Sequence, residues 1–403
     1  MKRWLCMLAG LLLLVSAQAQ IHRRVPPYSF IRADRNRIQT PSGTSPDFSL
    51  FLRKLDSAAF LGYGDVRIVH VGGSHVQGGA WTQQLRRNLL SIRYGLDGGR
   101  GLVFPFAAAA TNTPSGYISR CTGEWRYSRC LKPDPSMPLG VTGMAVETSD
   151  TAATIMIDLV EQSSREWAPG FTFRSVDIFG SGSARPVIFM DRDTLEGVFS
   201  DGRYHFDLPH YAEYLRVGFR NLGSFSLSGI YLDRPQQGLT LSEAGVNGAS
   251  TGSFLNCENF ERDMAFLRPD LVIFSIGIND IQGADFSADR FIRNYSSLVD
   301  AVRSASPHCA ILFTTCTDSY RHHSPNRQGE EARMAFARLA VSYDAALWDV
   351  FDIMGGLGSI ESWEAAGLAR GDRVHFTGQG YDLLGDLLFN AIVDAWKEEV
   401  RRK

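Results

Sequence analysis

Residues 271–276 read Leu-Val-Ile-Phe-Ser-Ile, a nearly unbroken apolar run. A strand that is apolar at successive positions has both faces covered, as in parallel sheets with crossover helices above and below. The periodicity around it agrees. Phe291, Tyr295, Leu298 and Val302 recur at helical spacing, 310–315 is a further strand, 332–341 lies in a helix and 346–350 is again a strand. Tyr381, Leu384, Leu388, Ile392 and Trp396 stripe a C-terminal helix. Nearer the start, Phe48, Phe51, Leu52, Leu55 and Ala59 mark a helix, 66–71 a strand, and Trp81, Leu85, Leu89 and Ile92 a second helix. Strands alternating with helices in this way predict an α/β fold, a three-layer α/β/α sandwich around a parallel sheet.

From 104 to 238 the rhythm changes. Short β-type runs at 154–160, 171–179, 186–190, 204–208, 214–219 and 227–232 are punctuated by Gly, Pro, Asp and Ser, with no helical pattern between them. They predict a β-sandwich inserted into the α/β domain, whose two parts are then 47–103 and 239–403. Trp125 and Trp167 are read as sandwich core, with sugar stacking as the rival role.

The first residues look like an export signal. Lys2 and Arg3 precede an apolar run over 4–15, and Ala17-Gln18-Ala19 is a small-residue cleavage site. The expectation is a signal peptide over 1–19, a flexible lead-in over 20–46, a periplasmic or secreted protein, and no membrane span once the signal is removed. The apolar run is shorter than the ~20 residues a spanning helix needs. Export leaves Cys121, Cys130, Cys257, Cys309 and Cys316, with a Cys121–Cys130 bridge or buried free thiols both open. A formal charge of -2 without a long basic run gives no footprint for nucleic acid. No CxxC or HExxH pattern occurs, His322 and His323 read as a solvated loop, and neither metal nor cofactor is expected.

Three separated stretches carry chemistry. Gly72-Gly73-Ser74-His75 follows the strand at 66–71, where a sharp turn into a helix can expose the Ser74 hydroxyl. Asp372 lies three residues before His375, so one tight turn can join carboxylate and imidazole. Asn279 follows the apolar strand and its turn, and Gly248, at the return from the β-rich stretch, offers an N–H with no side chain in the way. Together they supply a nucleophile, a base, an orienting acid and oxyanion donors. His75 is adjacent to Ser74 and poorly placed as its base, so it is assigned a structural or substrate-side role. Asp318, Tyr320 and Arg321, in the loop 314–327, are expected to border the same cleft.

Ser74, Gly248, Asn279 and His375 stand in the order of the four blocks of the SGNH, or GDSL, hydrolases, with Asp372 where that family has its acid. The chain resembles this family over roughly 60–100 and 240–400. The resemblance implies a Ser74, Asp372 and His375 triad and an oxyanion hole of Ser74 N–H, Gly248 N–H and the Asn279 amide. The interrupted domain, His75 after the serine, and Arg100-Gly101-Leu102-Val103-Phe104 are similar to exported bacterial peptidoglycan O-acetylesterases, whose insert resembles a carbohydrate-binding module. Gly73 departs from the pattern, standing where the family usually has Asp. The expected activity is removal of O-acetyl groups from an O-acetylated cell-envelope glycan. An O-acetyltransferase and a catalytically silent glycan binder are the alternatives, and oligomeric state is left open.

Overall fold

The computed structural model describes residues 21–43, 45–159 and 171–402. The export signal expected at 1–19, Trp167, and the last residue of the strand expected at 154–160 lie outside the described residues.

One sheet has the strands β1 (Ile38–Gln39), β2 (Val66–Gly72), β3 (Leu239–Gly245), β4 (Leu271–Ser275), β5 (Ala310–Thr314) and β6 (Ala346–Trp348), in the order β1-β6-β5-β4-β2-β3. β2 to β6 run parallel to their neighbours, and β1 alone is antiparallel. Leu271 to Phe274 of β4 are fully buried, as the continuous apolar run requires.

The helices include α1 (Pro46–Asp56), α2 (Ser74–Gln77), α3 (Ala80–Leu90), α4 (Phe260–Leu267), α5 (Ile278–Gln282), α6 (Ala288–Ala305), α7 (Gln328–Tyr343) and α8 (Gly378–Arg401). α8 packs on α1 and α3, while α6 packs on α4 and α7. Each group buries the stripe that the periodicity marks. Phe291, Tyr295, Leu298 and Val302 of α6 are all buried, each contributing on the order of 1.5–3 kcal/mol for an apolar side chain removed from water. The Ser287 side chain caps α6 by accepting from Arg290 N–H, and Thr377 caps α8 by accepting from Gly380 N–H.

Between α3 and β3 the chain forms two antiparallel sheets, of seven and five strands, whose inner faces carry Phe173, Val176, Ile178, Phe206, Phe225, Ile155, Ile157 and Val217. Five strands here have no apolar signal in the sequence reading: Ile118–Thr122, Arg126–Arg129, Met144–Thr148, Asp193–Glu196 and Val198–Ser200. Four of them are sheet edges. Edge strands are short and charged, which discourages pairing with other chains and removes the pattern that would reveal them. Gly101–Val103, expected in the first hydrolase part, pairs instead with Phe225–Asp233, so the β-rich stretch starts earlier than 104. Trp125 is half-buried, edge-on to Phe219 at 5.7 Å between ring centroids.

The lead-in over 20–46 is corrected for its described part. β1 joins the sheet beside β6. Asn390 Oδ1 accepts from Arg23 N–H at 2.8 Å while Asn390 Nδ2 donates to Arg23 O at 2.9 Å. Asn36 donates to Leu387 O and accepts from Trp348 Nε1, both at 2.9 Å. Backbone and amide bonds dock this segment, so it lacks the apolar period that announces helices and core strands.

Candidate active site

Strand register brings three distant residues to one edge. Gly72, the end of β2, is level with Gly245 of β3 on one side and Ser275 of β4 on the other. Ser74, Gly248 and Asn279 therefore leave the sheet at the same carboxyl edge, where open parallel sheets bind ligands. Close approach at this edge requires glycine. A Cβ on Gly72 would lie 2.3 Å from Val76 Cγ2, and one on Gly245 would lie 2.2 Å from Gln77 N.

Ser74 begins α2, and its Oγ lies 2.9 Å from His375 Nε2. His375 Nδ1 lies 2.9 Å from Asp372 Oδ2. The other carboxylate oxygen of Asp372 accepts the N–H groups of Val374 and His375, both at 2.9 Å. Burial works to raise the Asp372 carboxyl, but those two amides and the His375 ring outweigh it and hold the group below the usual carboxylate range. An ionised Asp372 takes the Nδ1 proton as its hydrogen bond. Nε2 is then left with its lone pair towards the serine hydroxyl.

Between acid and base sits Arg373, in the left-handed region with φ 52°. Its Nε donates to Glu364 Oε2 at 2.6 Å and its Nη1 to Glu361 Oε1 at 2.8 Å. The Arg373 carbonyl accepts from Tyr320 N–H at 2.9 Å, and its guanidinium lies 4.7 Å over the Tyr320 ring. Arg370 N–H donates to His375 O at 2.8 Å. The turn holding the acid and base is thus tied on three sides.

Asn279 Nδ2 donates to Ala249 O at 2.9 Å, which leaves its second N–H free. A Cβ on Gly73 would sit 3.3 Å from that nitrogen, so the amide stands beside the nucleophile turn. Gly73 has φ -92°, outside the left-handed region that favours glycine. Its lack of a side chain saves space against Asn279. Gly248, exposed and at φ 83°, has an N–H without an acceptor among the described residues. Asp280 fixes this loop: Thr251 Oγ1 donates to its Oδ1 at 2.6 Å and Thr251 N–H to its Oδ2 at 2.9 Å.

The residues expected on the substrate side lie elsewhere. His75 is buried behind His375, with ring centroids 5.3 Å apart and Nδ1 2.8 Å from Tyr381 Oη. Burial first, and then His375, lower its pKa to about 3, so it stays neutral. Asp318 is fully buried and accepts from Ile360 N–H at 2.9 Å, capping the short helix Ile360–Ala365. Tyr320 is buried beneath Arg373, and Arg321 Nε donates to Gln282 O at 3.1 Å. The loop supports the site from behind because its polar groups satisfy backbone that would otherwise be buried unpaired.

Gln77, Arg373, Asp280 and Thr251 carried no motif signal. Gln77 Nε2 donates to Thr111 Oγ1 at 3.0 Å and Asn112 O at 3.1 Å, while its Oε1 accepts from Asn247 N–H at 2.6 Å. Asn247 Nδ2 donates to Asn112 Oδ1 at 2.7 Å, so a loop within the β-rich stretch joins both α2 and the Gly248 loop. Its only sequence hint is a polar side chain one helical turn after Ser74. No group of three or more His, Cys, Asp or Glu among the described residues could hold a metal ion. No helix among them is long and apolar enough to cross a membrane.

Residues 224–383 match the model of the GDSL-like lipase/acylhydrolase family, a span that includes Gly248, Asn279, Asp372 and His375 but not Ser74. A solved structure of a peptidoglycan O-acetylesterase matches with TM-score 0.72 and 22% identity, covering 91% of this chain and 99% of that one. At that identity the likeness establishes a shared fold. A lipase/acylhydrolase from Enterococcus faecalis matches with TM-score 0.32 and 18% identity, over 40% of this chain and 78% of its own. An acetylxylan esterase from Geobacillus stearothermophilus does so with TM-score 0.32 and 20% identity, over 38% and 73%. No curated protein matches in sequence.

Proposed function

We propose that this chain is an exported serine esterase that removes O-acetyl groups from a cell-envelope glycan, with peptidoglycan as the first candidate. Ser74 Oγ attacks the acetyl carbonyl carbon as His375 Nε2 takes its proton, and Asp372 holds the imidazolium that forms. The N–H groups of Ser74 and Gly248 and the free N–H of Asn279 meet the oxyanion. Collapse of the tetrahedral intermediate expels the sugar oxygen, which takes the proton from His375. Water then attacks the acetyl-serine by the same route, releasing acetate and restoring Ser74.

The observation that carries this is the continuous chain from Ser74 Oγ through His375 to Asp372, both links 2.9 Å, at the sheet's carboxyl edge. The match to the acylhydrolase family model supports ester chemistry, and the fold shared with a peptidoglycan O-acetylesterase supports the substrate class. The two helix groups support a three-layer reading of the α/β part. The paired sheets before β3 support reading an inserted sandwich that serves as a carbohydrate-binding unit.

The test is acetate release from O-acetylated peptidoglycan, O-acetylated xylan and a chromogenic acetate by the purified protein and by Ser74→Ala. Turnover by the wild type alone, fastest on peptidoglycan, is expected. Acetate appearing on an added glycan acceptor would identify a transferase. Retention on glycan with no turnover of any ester would identify a silent binder.

A further inference from the structure

One edge of the β-rich stretch borders the proposed oxyanion donor. The strand Arg126–Arg129 ends the seven-stranded sheet and pairs on one side only, with Met144–Thr148. Ser128 and Cys130 are buried, whereas Tyr127 and, past the strand end, Leu131 are exposed, as the alternation of an extended chain requires. Leu131 lies over the Gly248 loop, its two methyls 3.8 Å from the place a Cβ would take on Gly248. Arg129 is two residues from Leu131, within about 7 Å along the chain.

Arg129 is held in place but its charge is not neutralised. Its Nη2 donates to Ala109 O at 2.8 Å and to Ala110 O at 3.4 Å, and its guanidinium lies 4.9 Å from the Tyr127 ring centroid. Nε is enclosed without an acceptor. Among the described residues no carboxylate bonds this guanidinium, and Glu147 on the neighbouring strand stands opposite Arg126 and pairs with that residue instead. The loop that carries Ala109 and Ala110 runs on to Asn112, which accepts from Gln77 Nε2 at 3.2 Å and from Asn247 Nδ2 at 2.7 Å. Arg129 is thus tied to the Gly248 loop twice, through Leu131 and through Asn112.

We infer that Tyr127 and Arg129 form a subsite for a carboxylate on the glycan whose ester Ser74 cleaves, borne by the sugar itself or by a peptide attached to it. The half-exposed ring offers an apolar face to sugar C–H groups, and the guanidinium offers charge-assisted hydrogen bonds to the acid. Trp125, packed edge-on against Phe219, leaves this role to Tyr127. The subsite bears on which glycan is chosen. Xylan without acidic side groups offers a partner to the ring alone, whereas peptidoglycan offers one to the ring and one to the guanidinium. The inference rests on the esterase reading for the ester; binding of the acid does not require Ser74.

The test is calorimetric binding to the full chain carrying Ser74→Ala, with uncharged chitobiose, the peptidoglycan disaccharide with its lactyl carboxylate free, and the same disaccharide bearing a stem peptide. At least one acidic ligand should bind about tenfold or more tightly than chitobiose, as a hydrogen bond to a charged group implies. That preference should shrink as salt is raised, a reading that needs no further variant to fold. The tighter of the two acidic ligands identifies where the carboxylate sits. Arg129→Gln in the same background should remove the preference, Arg129→Lys should retain part of it, and Tyr127→Ala should weaken all three ligands. Equal binding of acidic and uncharged sugars, no binding of any, or a preference that survives Arg129→Gln would overturn the subsite. Acid binding without turnover of any ester by the wild type would instead refute the esterase reading and leave the subsite standing.

Discussion

Ser74 has an ordinary hydroxyl until His375 stands 2.9 Å away with an unprotonated Nε2, and Asp372 decides which nitrogen that is. Ser74→Ala is therefore expected to reduce hydrolysis of a chromogenic acetate to background. In the proposed mechanism Asn279 acts later, when charge develops on the carbonyl oxygen. Asn279→Ala should lower kcat by about 100- to 1000-fold with KM nearly unchanged, since one lost oxyanion donor costs roughly 3–4 kcal/mol in the transition state. Steady-state kinetics decide the matter. A raised KM with kcat intact would make Asn279 a ground-state binder and leave the oxyanion to the backbone amides.

Two short elements hold these residues in place. The turn Asp372 to His375 is strained at Arg373, and a non-glycine residue at positive φ persists only where its surroundings impose it. Here Glu361, Glu364 and Tyr320 impose it. Arg373→Ala keeps the strain and removes the anchors. It should lower kcat about tenfold or more, with a small loss in melting temperature, whereas Arg373→Lys, which keeps only one anchor, should fall between. The Gly248 loop hangs on Asp280 in the same manner. Thr251→Val deletes the hydroxyl that donates to Asp280 at 2.6 Å and leaves the backbone bond. Losing one hydrogen bond to a charged group, about 1.5–3 kcal/mol, should loosen the loop. The expected signature is a lowered kcat on acetate esters and faster amide exchange over 246–251; unchanged exchange would show that the loop is held elsewhere.

Across the whole molecule, two buried histidines tie stability to pH. His70 bridges β2 to its neighbours, with Nε2 2.8 Å from Ser275 Oγ and Nδ1 2.9 Å from Thr82 Oγ1. Burial, with Arg86 second, lowers its pKa to about 3, as burial does for His75. Below pH 6.5 the unfolded chain takes up protons at both positions and the folded chain does not. Stability is therefore expected to fall as pH drops from 6.5 towards 3, by up to about 1.4 kcal/mol per pH unit for each histidine. Burial raises the Asp263 and Asp280 carboxyls, which act in the opposite sense. His70→Asn should destabilise at pH 7 yet flatten the acid slope, measured as denaturant midpoints at pH 7 and 5. An unchanged slope would mean that His70 takes up its proton without unfolding.

The sequence alone determined the alternation of strands and helices and the candidate reacting groups, because both are local. A period of two or 3.6 is written in neighbouring residues, and a serine, an amide and an Asp372-to-His375 spacing can be read without coordinates. The fold that those periods predict is the one that places Gly72 level with Gly245 and Ser275. Only the tertiary structure decided the supports: Arg373 clamped by Glu361 and Glu364, Asp280 holding Thr251, and the lead-in docked through Asn36 and Asn390. These contacts join residues far apart through single hydrogen bonds. Such a bond leaves no repeat in the chain. His75 and Asp318 changed place for a related reason, since a polar residue in a motif or loop declares its chemistry but not whether folding will turn it to solvent or bury it against a partner.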